Sequence, residues 1–238
     1  AGRPAGGKGG GRCCACPSAQ LCSAAMTQLQ AFLIPVTGFQ QNCSLVFDKD
    51  QKRGAIVDPG GDIPLILDAI AQSGVTIEKI LLTHGHIDHA GGAAELRDTL
   101  KVPIIGPHED DLFLLEELAG TGAQYGIAGA RNVKPDRWLK DGDKVSVAGL
   151  DFDILHAPGH SPGSVVFFND ANRFALMGDV LFQGSVGRTD LPRGSHETLL
   201  RSIREKILPL GDDVVFLPGH GPASTIGQER QTNPFLNE

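Results

Sequence analysis

The sequence predicts a single domain of mixed α/β (α+β) class that folds as an αββα sandwich. Short apolar segments with strand character fall into two groups along the chain, and helical patterns lie between and beside them. A chain of 238 residues with 41% apolar content can bury one sizeable core, and its 31 glycines are typical of a fold with many loops. Two groups of strands with helices outside them therefore predict two sheets between two helical layers.

The first group of strands precedes a clear helix. Its strands are predicted at residues 30–34, 44–47 and 54–57. Asp62 then offers an N-cap, apolar residues follow at helical spacing, and Gly74 ends the helix. An apolar run at 77–82 follows. Beyond it the pattern predicts a helix at 92–100, a strand at 102–105 and a helix near 109–118.

The second group of strands occupies the C-terminal half. Its members are predicted at residues 145–147, 150–155, 165–169, 173–177 and 214–217. Between the last two strands, Ser195 is expected to cap a helix. The apolar face of that helix consists of Leu199, Leu200, Ile203 and Ile207.

A dense cluster of metal-capable side chains follows the apolar run at 77–82. Three imidazoles and a carboxylate occur within six residues, in the pattern His84-x-His86-x-Asp88-His89. In an extended segment, residues two apart point the same way, so His84 and His86 can meet one cation. Asp88 and His89 lie where the chain turns toward the next helix, so they can face a second point. The alternative is a histidine-rich surface turn, but such density at a strand end indicates a metal site.

Three further candidate ligands each follow a predicted strand. His160 lies in a loop rich in proline and glycine, which can hold one histidine rigidly. Asp179 and His220 follow the apolar strands at 173–177 and 214–217. Loops that carry ligands at the edge of a rigid sheet are what a preorganised active site requires.

With these motifs, residues 28–236 resemble the metallo-β-lactamase superfamily, whose architecture is the αββα sandwich. The resemblance implies a first metal held by His84, His86 and His160. It implies a second metal held by Asp88, His89 and His220. Asp179 would bridge the two metals, and Asp58 would support the ligand loop. His156 would have no ligand role and would lie in a loop or behind the ligands.

Within this superfamily, the motifs resemble glyoxalase II and the persulfide dioxygenases. Common β-lactamases carry Arg in place of His89 and a Cys ligand, and flavo-diiron proteins carry Glu in place of His86. The segment at 187–190, Gly-Arg-Thr-Asp, resembles both persulfide dioxygenases and short bacterial glyoxalase II-like hydrolases. The C-terminal motifs at 218–222 and 229–234 are most similar to the short hydrolases. Because little of the chain follows His220, we expect the helical C-terminal domain of full-length glyoxalase II to be absent.

The leading hypothesis is metal-dependent hydrolysis of a small-molecule thioester, glutathione-linked as in hydroxyacylglutathione hydrolases. Nitrogen and oxygen ligands suit Zn²⁺, Fe²⁺ or Mn²⁺, with one or two ions per chain. Metal-bound hydroxide would attack the thioester carbonyl. Asp88, which can orient this nucleophile, and the bridging Asp179 are the candidate catalytic residues. Arg188 is the candidate substrate contact, because guanidinium groups pair with carboxylates; the alternative is an ion pair with Asp190 or another loop carboxylate.

Two other functions stay open. One is a persulfide dioxygenase, in which a single Fe²⁺ is held by His84, His160 and Asp179. The other is a metal-binding protein without turnover. One iron per chain together with oxygen uptake would favour the dioxygenase.

Composition argues against several partners. The chain has 28 acidic against 21 basic residues and lacks a Lys/Arg stripe, so nucleic acid is not expected as a partner. No stretch approaches the roughly 18 apolar residues that cross a membrane. Without a disulfide framework, a cytoplasmic location is favoured. The oligomeric state stays open.

The N-terminal segment is expected to lie outside the folded domain, which is predicted to span 27–238. Residues 1–25 are rich in Gly, Ala and Ser, lack acidic residues and hold four of the five cysteines. Residues 1–26 are therefore predicted to be a disordered tail, an extension added for expression or a transit segment, and organellar targeting stays open.

Overall fold

In the computed structural model, which describes Gly2 and residues 29–237, two β-sheets pack face to face with helices on their outer surfaces. The predicted single-domain αββα sandwich is confirmed. The predicted N-terminal extension lies, apart from Gly2, outside the described residues. Within the described part of the chain, no helix is long and apolar enough to span a bilayer.

The first sheet contains the strands predicted in the N-terminal half. They are β1 (Leu29–Val36), β2 (Gln41–Asp48), β3 (Arg53–Val57), β4 (Thr76–Leu81) and β5 (Ile104–Ile105), in that spatial order. β1, β2 and β3 pair antiparallel, whereas β3, β4 and β5 pair parallel. The strand predicted at 102–105 is thus shorter than expected.

The second sheet contains the strands predicted in the C-terminal half and one more. They are β6 (Lys144–Val147), β7 (Leu150–His156), β8 (Val165–Asn169), β9 (Phe174–Gly178), β12 (Val215–Pro218) and β13 (Ser224–Thr225). β9 and β12 are neighbouring parallel strands, and β6 to β9 form an antiparallel meander. The short hairpin β10 (Leu181–Phe182) and β11 (Ser185–Val186), like β13, was not predicted.

Alternation along the strands creates three apolar layers. In β2, Val46 faces the core between the sheets, whereas Leu45 and Phe47 face the helices outside the first sheet. In β8, Phe167 faces the same central core, and Phe168 faces the outer helices of the second sheet. Because successive strand residues point to opposite faces, a sheet covered on both sides reads as a continuous apolar run.

The helices lie outside the two sheets or next to the ligand loops. They are α1 (Ile63–Ser73), α2 (Ile87–Ala90), α3 (Ala93–Leu100), α4 (Leu112–Leu115), α5 (Leu118–Tyr125), α6 (His196–Ser202) and α7 (Ile226–Thr232). Ser195 caps α6 as predicted, since its hydroxyl accepts the Thr198 N–H. Gly74 ends α1 in the left-handed conformation, also as predicted. Neither α2 nor α7 was predicted.

Two helix predictions were wrong in detail. Asp62 stands at the N-cap position of α1, but its carboxylate accepts the Thr37 N–H at 2.6 Å instead of capping the helix. The helix predicted near 109–118 is divided into a 3₁₀ turn (Glu109–Asp111), α4 and α5. Asp111 is fully buried at the first break, where its carboxylate bonds to loops from elsewhere in the chain.

Candidate metal centre

The structure brings the seven predicted ligand side chains around a common centre. They are His84, His86, Asp88, His89, His160, Asp179 and His220. Each follows the end of a strand: the first four come after β4, and the others follow β7, β9 and β12. In the parallel pair β9 and β12, Gly178 lies beside Pro218, so Asp179 and His220 emerge next to each other.

Three imidazoles meet in the first group. The Nε2 atom of His160 lies 2.9 Å from His86 Nδ1 and 3.2 Å from His84 Nε2. His84 and His160 are almost completely buried. Three ring nitrogens therefore converge on one point, as in sites where histidines share a metal ion.

The second group combines a carboxylate with two imidazoles. His220 Nε2 lies 3.2 Å from Asp88 Oδ2, and His89 Nε2 lies 3.9 Å from the same oxygen. Asp179 lies between the groups, with Oδ2 3.6 Å from both His160 Nε2 and His220 Nε2. This is the location that a bridging carboxylate would occupy.

Hydrogen bonds on the outer side of the rings orient His84, His89 and His160. The Nδ1–H of His160 donates to the Arg188 carbonyl at 2.8 Å, and that of His89 donates to Asp58 Oδ2 at 2.9 Å. His84 Nδ1 lies 3.1 Å from the Thr83 hydroxyl, which itself donates to Asp58. With Nδ1 protonated, Nε2 of each of these three rings carries its lone pair toward the centre, whereas His86 faces the centre through its Nδ1.

The ionisation of the first group suits metal binding. Burial lowers the pKa of His84 well below its usual value, lowers that of His86 to about 3 and also lowers that of His160. These rings are therefore neutral at neutral pH. Neutral imidazole is the form that donates a lone pair to a metal.

Carboxylates control the charge of the second group. Burial opposes a charge on His89 and His220, yet Asp179 and Asp88 raise the pKa of both imidazoles above the usual value. Burial likewise opposes ionisation of Asp179, but the adjacent His89 lowers the pKa of that carboxyl. The second group therefore favours positive charge at its centre, whether a proton or a metal ion supplies it.

The residues present fit a divalent cation. His89 Nε2 and Asp179 Oδ1 are buried without a well-aligned hydrogen-bond partner among the described residues, although they lie 3.4 Å apart. Lone pairs that face each other at 2.9–3.2 Å in the first group repel unless a cation lies between them. Gly219 also leaves the space beside the ligands open, because a Cβ there would lie 2.0 Å from Asp179 Oδ1. The His/Asp cluster thus implies a divalent metal, whose identity stays a prediction.

Some of the residues around the ligands were predicted from the sequence, and others were not. Asp58 accepts from Thr83 and His89, in agreement with the supporting role expected for it. His156 ends β7, bonds through Nε2 to the Pro162 carbonyl and stacks on His108. Asn42 was missed; its side-chain amide donates to the carbonyls of Pro218 and Gly221, on either side of His220. No sequence motif includes Asn42, and only its contacts in the folded protein indicate its role.

Arg188 lies next to the first group, but its guanidinium has a partner. Its Nε and Nη2 atoms each lie 2.7 Å from an oxygen of Asp190, which is the alternative interpretation of this residue. Both side chains are about two-thirds exposed, at 64% and 68%. An exposed pair of this kind can open to a ligand at little cost. The substrate-contact role of Arg188 stays a prediction.

Comparisons with known proteins agree with the fold. The metallo-beta-lactamase superfamily model matches residues 36–220. Hydroxyacylglutathione hydrolase GloC of Haemophilus influenzae is 48% identical over 206 residues, which cover 86% of this chain and 97% of that protein. The crystal structure of BLEG-1 B3 metallo-beta-lactamase is 39% identical, with a TM-score of 0.81 and coverage of 88% of this chain and 100% of that one. The structure of TTHA1623 in a di-iron-bound form is 36% identical, with a TM-score of 0.78 and coverage of 86% and 100%.

Proposed function

Because this chain belongs to the metallo-β-lactamase superfamily of metal-dependent hydrolases, we propose that it hydrolyses a glutathione-linked thioester. The main support is its 48% identity to a protein named hydroxyacylglutathione hydrolase GloC. The alignment covers 97% of that relative, so the similarity extends over nearly its whole length. The substrate would be a small molecule with a thioester of a hydroxy acid.

The donor cluster suits this reaction. When bound, divalent cations would supply a hydroxide nucleophile at neutral pH and would stabilise negative charge on the carbonyl oxygen. The neutral rings of His84, His86 and His160 would hold one ion, and Asp88, His89 and His220 would hold the other. Asp179 would link the two positions, since its oxygens face both groups.

Asp88 is proposed to orient the attacking water by accepting a hydrogen bond from it. Its carboxyl has a lowered pKa, because His89 and His220 overcome the opposing effect of burial, so it is ionised at neutral pH. A thiol is acidic enough to leave as thiolate. The reaction therefore does not require a strong general acid. The native metal is proposed to be Zn²⁺, Fe²⁺ or Mn²⁺.

The thioesterase proposal predicts chelator-sensitive turnover of S-D-lactoylglutathione. The purified protein should hydrolyse this thioester, which is followed by loss of its absorbance. A strong chelator should stop the reaction, and Zn²⁺, Fe²⁺ or Mn²⁺ should restore it. Absence of turnover in protein shown by elemental analysis to be metal-replete would contradict the proposal.

Two alternative activities belong in the same experiment. The 39% identity to a B3 metallo-β-lactamase favours β-lactam hydrolysis as a second candidate, and a chromogenic cephalosporin tests it. Oxygen uptake with glutathione persulfide tests the dioxygenase hypothesis from the segment at 187–190. Either activity without thioester hydrolysis would replace the proposal.

Replacement of Arg188 by alanine should raise the KM for a glutathione thioester about tenfold with little change in kcat. A guanidinium that pairs with a substrate carboxylate contributes to binding away from the reacting carbonyl. Steady-state kinetics of R188A measure this effect, with R204A as the control because Arg204 is an exposed arginine of the segment after α6. An unchanged KM would contradict the substrate-contact role and would favour the alternative, in which Arg188 only pairs with Asp190.

A further inference from the structure

Asp111 is a fully buried carboxylate outside the predicted ligand set. It follows an acidic stretch, His108-Glu109-Asp110, in which the neighbouring Asp110 is exposed. Burial raises the pKa of Asp111 to about 6, against the opposing effect of its hydrogen bonds. Buried carboxylates are rare unless other groups satisfy their oxygens. The hydrogen-bond partners of the Asp111 carboxylate therefore indicate its role.

The two oxygens of Asp111 join two ligand loops. Oδ2 accepts the Gly85 N–H at 2.8 Å and the Ser161 hydroxyl at 2.8 Å. Oδ1 accepts the Gly163 N–H at 2.6 Å. Gly85 lies between His84 and His86, and Ser161 follows His160 directly. One side chain thus ties together the two segments that carry the first histidine group.

The glycine at position 163 permits this approach. A Cβ on Gly163 would lie 2.5 Å from Asp111 Cγ and 2.7 Å from its backbone nitrogen, so a larger residue would displace the carboxylate. The Gly163 carbonyl also accepts the His108 N–H at 3.1 Å. The segment around Asp111 is therefore attached to the His160 loop through the backbone as well as through the side chain.

Stacking reinforces the same contact. The rings of His108 and His156 lie 4.1 Å apart with an interplanar angle of 15°, and His156 Nε2 donates to the Pro162 carbonyl. His108 is the N-cap of the 3₁₀ turn that ends at Asp111. The Asp111 segment is thus held against the His160 loop on two sides, which limits how far that loop can move.

We infer that Asp111 is a positioning residue that sets the metal affinity of the first histidine group by fixing the His84–His86 segment relative to His160. Asp111 does not touch the centre itself. It acts through backbone and hydroxyl groups next to the ligands, and such outer partners typically change metal affinity about 10- to 100-fold. The inference rests on the metal centre of the proposed function and not on the identity of the substrate.

The test uses proteins in which one metal position has been removed. In the H220A background the first group is intact, and in the H86A background the second group is intact. Asp111→Asn keeps the size of the side chain but places an amide N–H against a backbone N–H. The Zn²⁺ affinity of each protein is measured by competition with a chromophoric chelator, without substrate.

We expect Asp111→Asn to weaken Zn²⁺ binding about 10- to 100-fold in the H220A background and less than about twofold in the H86A background. Asp110→Asn is the matched control, because it makes the same change on an exposed neighbour, and it should alter neither affinity. Equal losses in both backgrounds would identify a general structural role and overturn the inference. Unchanged affinity in both would overturn it as well.

A second variant covers the case in which Asp111→Asn does not fold. Ser161→Ala removes one of the hydrogen bonds to Asp111 and leaves the two from backbone N–H groups. It should weaken Zn²⁺ binding by a factor of a few in the H220A background only. Loss of thioesterase activity is not a readout here, so failure of the proposed reaction and failure of this inference are distinguishable.

Discussion

Replacement of His84 by alanine is expected to abolish hydrolysis and to lower the bound metal at the same time. His84 is fully buried, and its Nε2 lies 3.2 Å from His160 Nε2. Its ring centroid is also only 4.0 Å from that of His89, so the side chain lies against both donor groups. Since loss of an outer partner alone costs about 10- to 100-fold, loss of this donor should reduce kcat/KM by more than about 100-fold.

The measurement pairs elemental analysis of H84A with its rate of thioester hydrolysis. His196→Ala is the matched control, because His196 is an exposed histidine at the start of α6. The control should retain its metal and turnover within about twofold. Near-normal turnover by H84A would contradict the assignment of the metal centre, whatever the substrate.

Replacement of Gly219 by alanine should have an effect of similar size without removing any ligand. Its added Cβ would lie 2.0 Å from Asp179 Oδ1 and 2.6 Å from His89 Cε1. These atoms belong to the donor groups and to the strand-end loops that carry them, so they cannot move without distorting the centre. The backbone around Gly219 is also held, since its N–H donates to the Gly178 carbonyl and its own carbonyl accepts the Asn42 N–H.

We therefore expect G219A to bind Zn²⁺ more than about 100-fold more weakly and to be destabilised by about 1–3 kcal/mol, as is usual for overpacking. Chelator competition and thermal unfolding measure the two effects. Gly38→Ala is the control, because a Cβ there meets nothing within 4 Å. Wild-type metal affinity in G219A would show that the donor groups meet elsewhere than the structure places them.

Local patterns predicted much of the fold. The strand at Val165–Asn169 was predicted to the residue, and Gly74 and Ser195 end and begin their helices as expected. These features depend on the residue itself and its near neighbours in the chain, so they can be predicted from the sequence. The prediction of one helix near 109–118 was wrong because Asp111 accepts hydrogen bonds from the backbone N–H groups of distant loops. No local sequence pattern reveals such contacts.

For the candidate site, too, some features could be predicted from the sequence and others could not. The sequence by itself determined the family and the sandwich and predicted seven candidate ligands, because its strand-end motifs resemble those of that family. Only the tertiary structure decided that Asp179 lies between two donor groups, that Arg188 pairs with Asp190 and that Asp111 joins two ligand loops. Arg188 and Asp190 are two residues apart, and the sequence left their ion pair open as one of two alternatives. The contacts of Asp179 and Asp111 instead connect residues that are far apart in the chain. Their energies depend on burial and on distances that exist only once both sheets have packed.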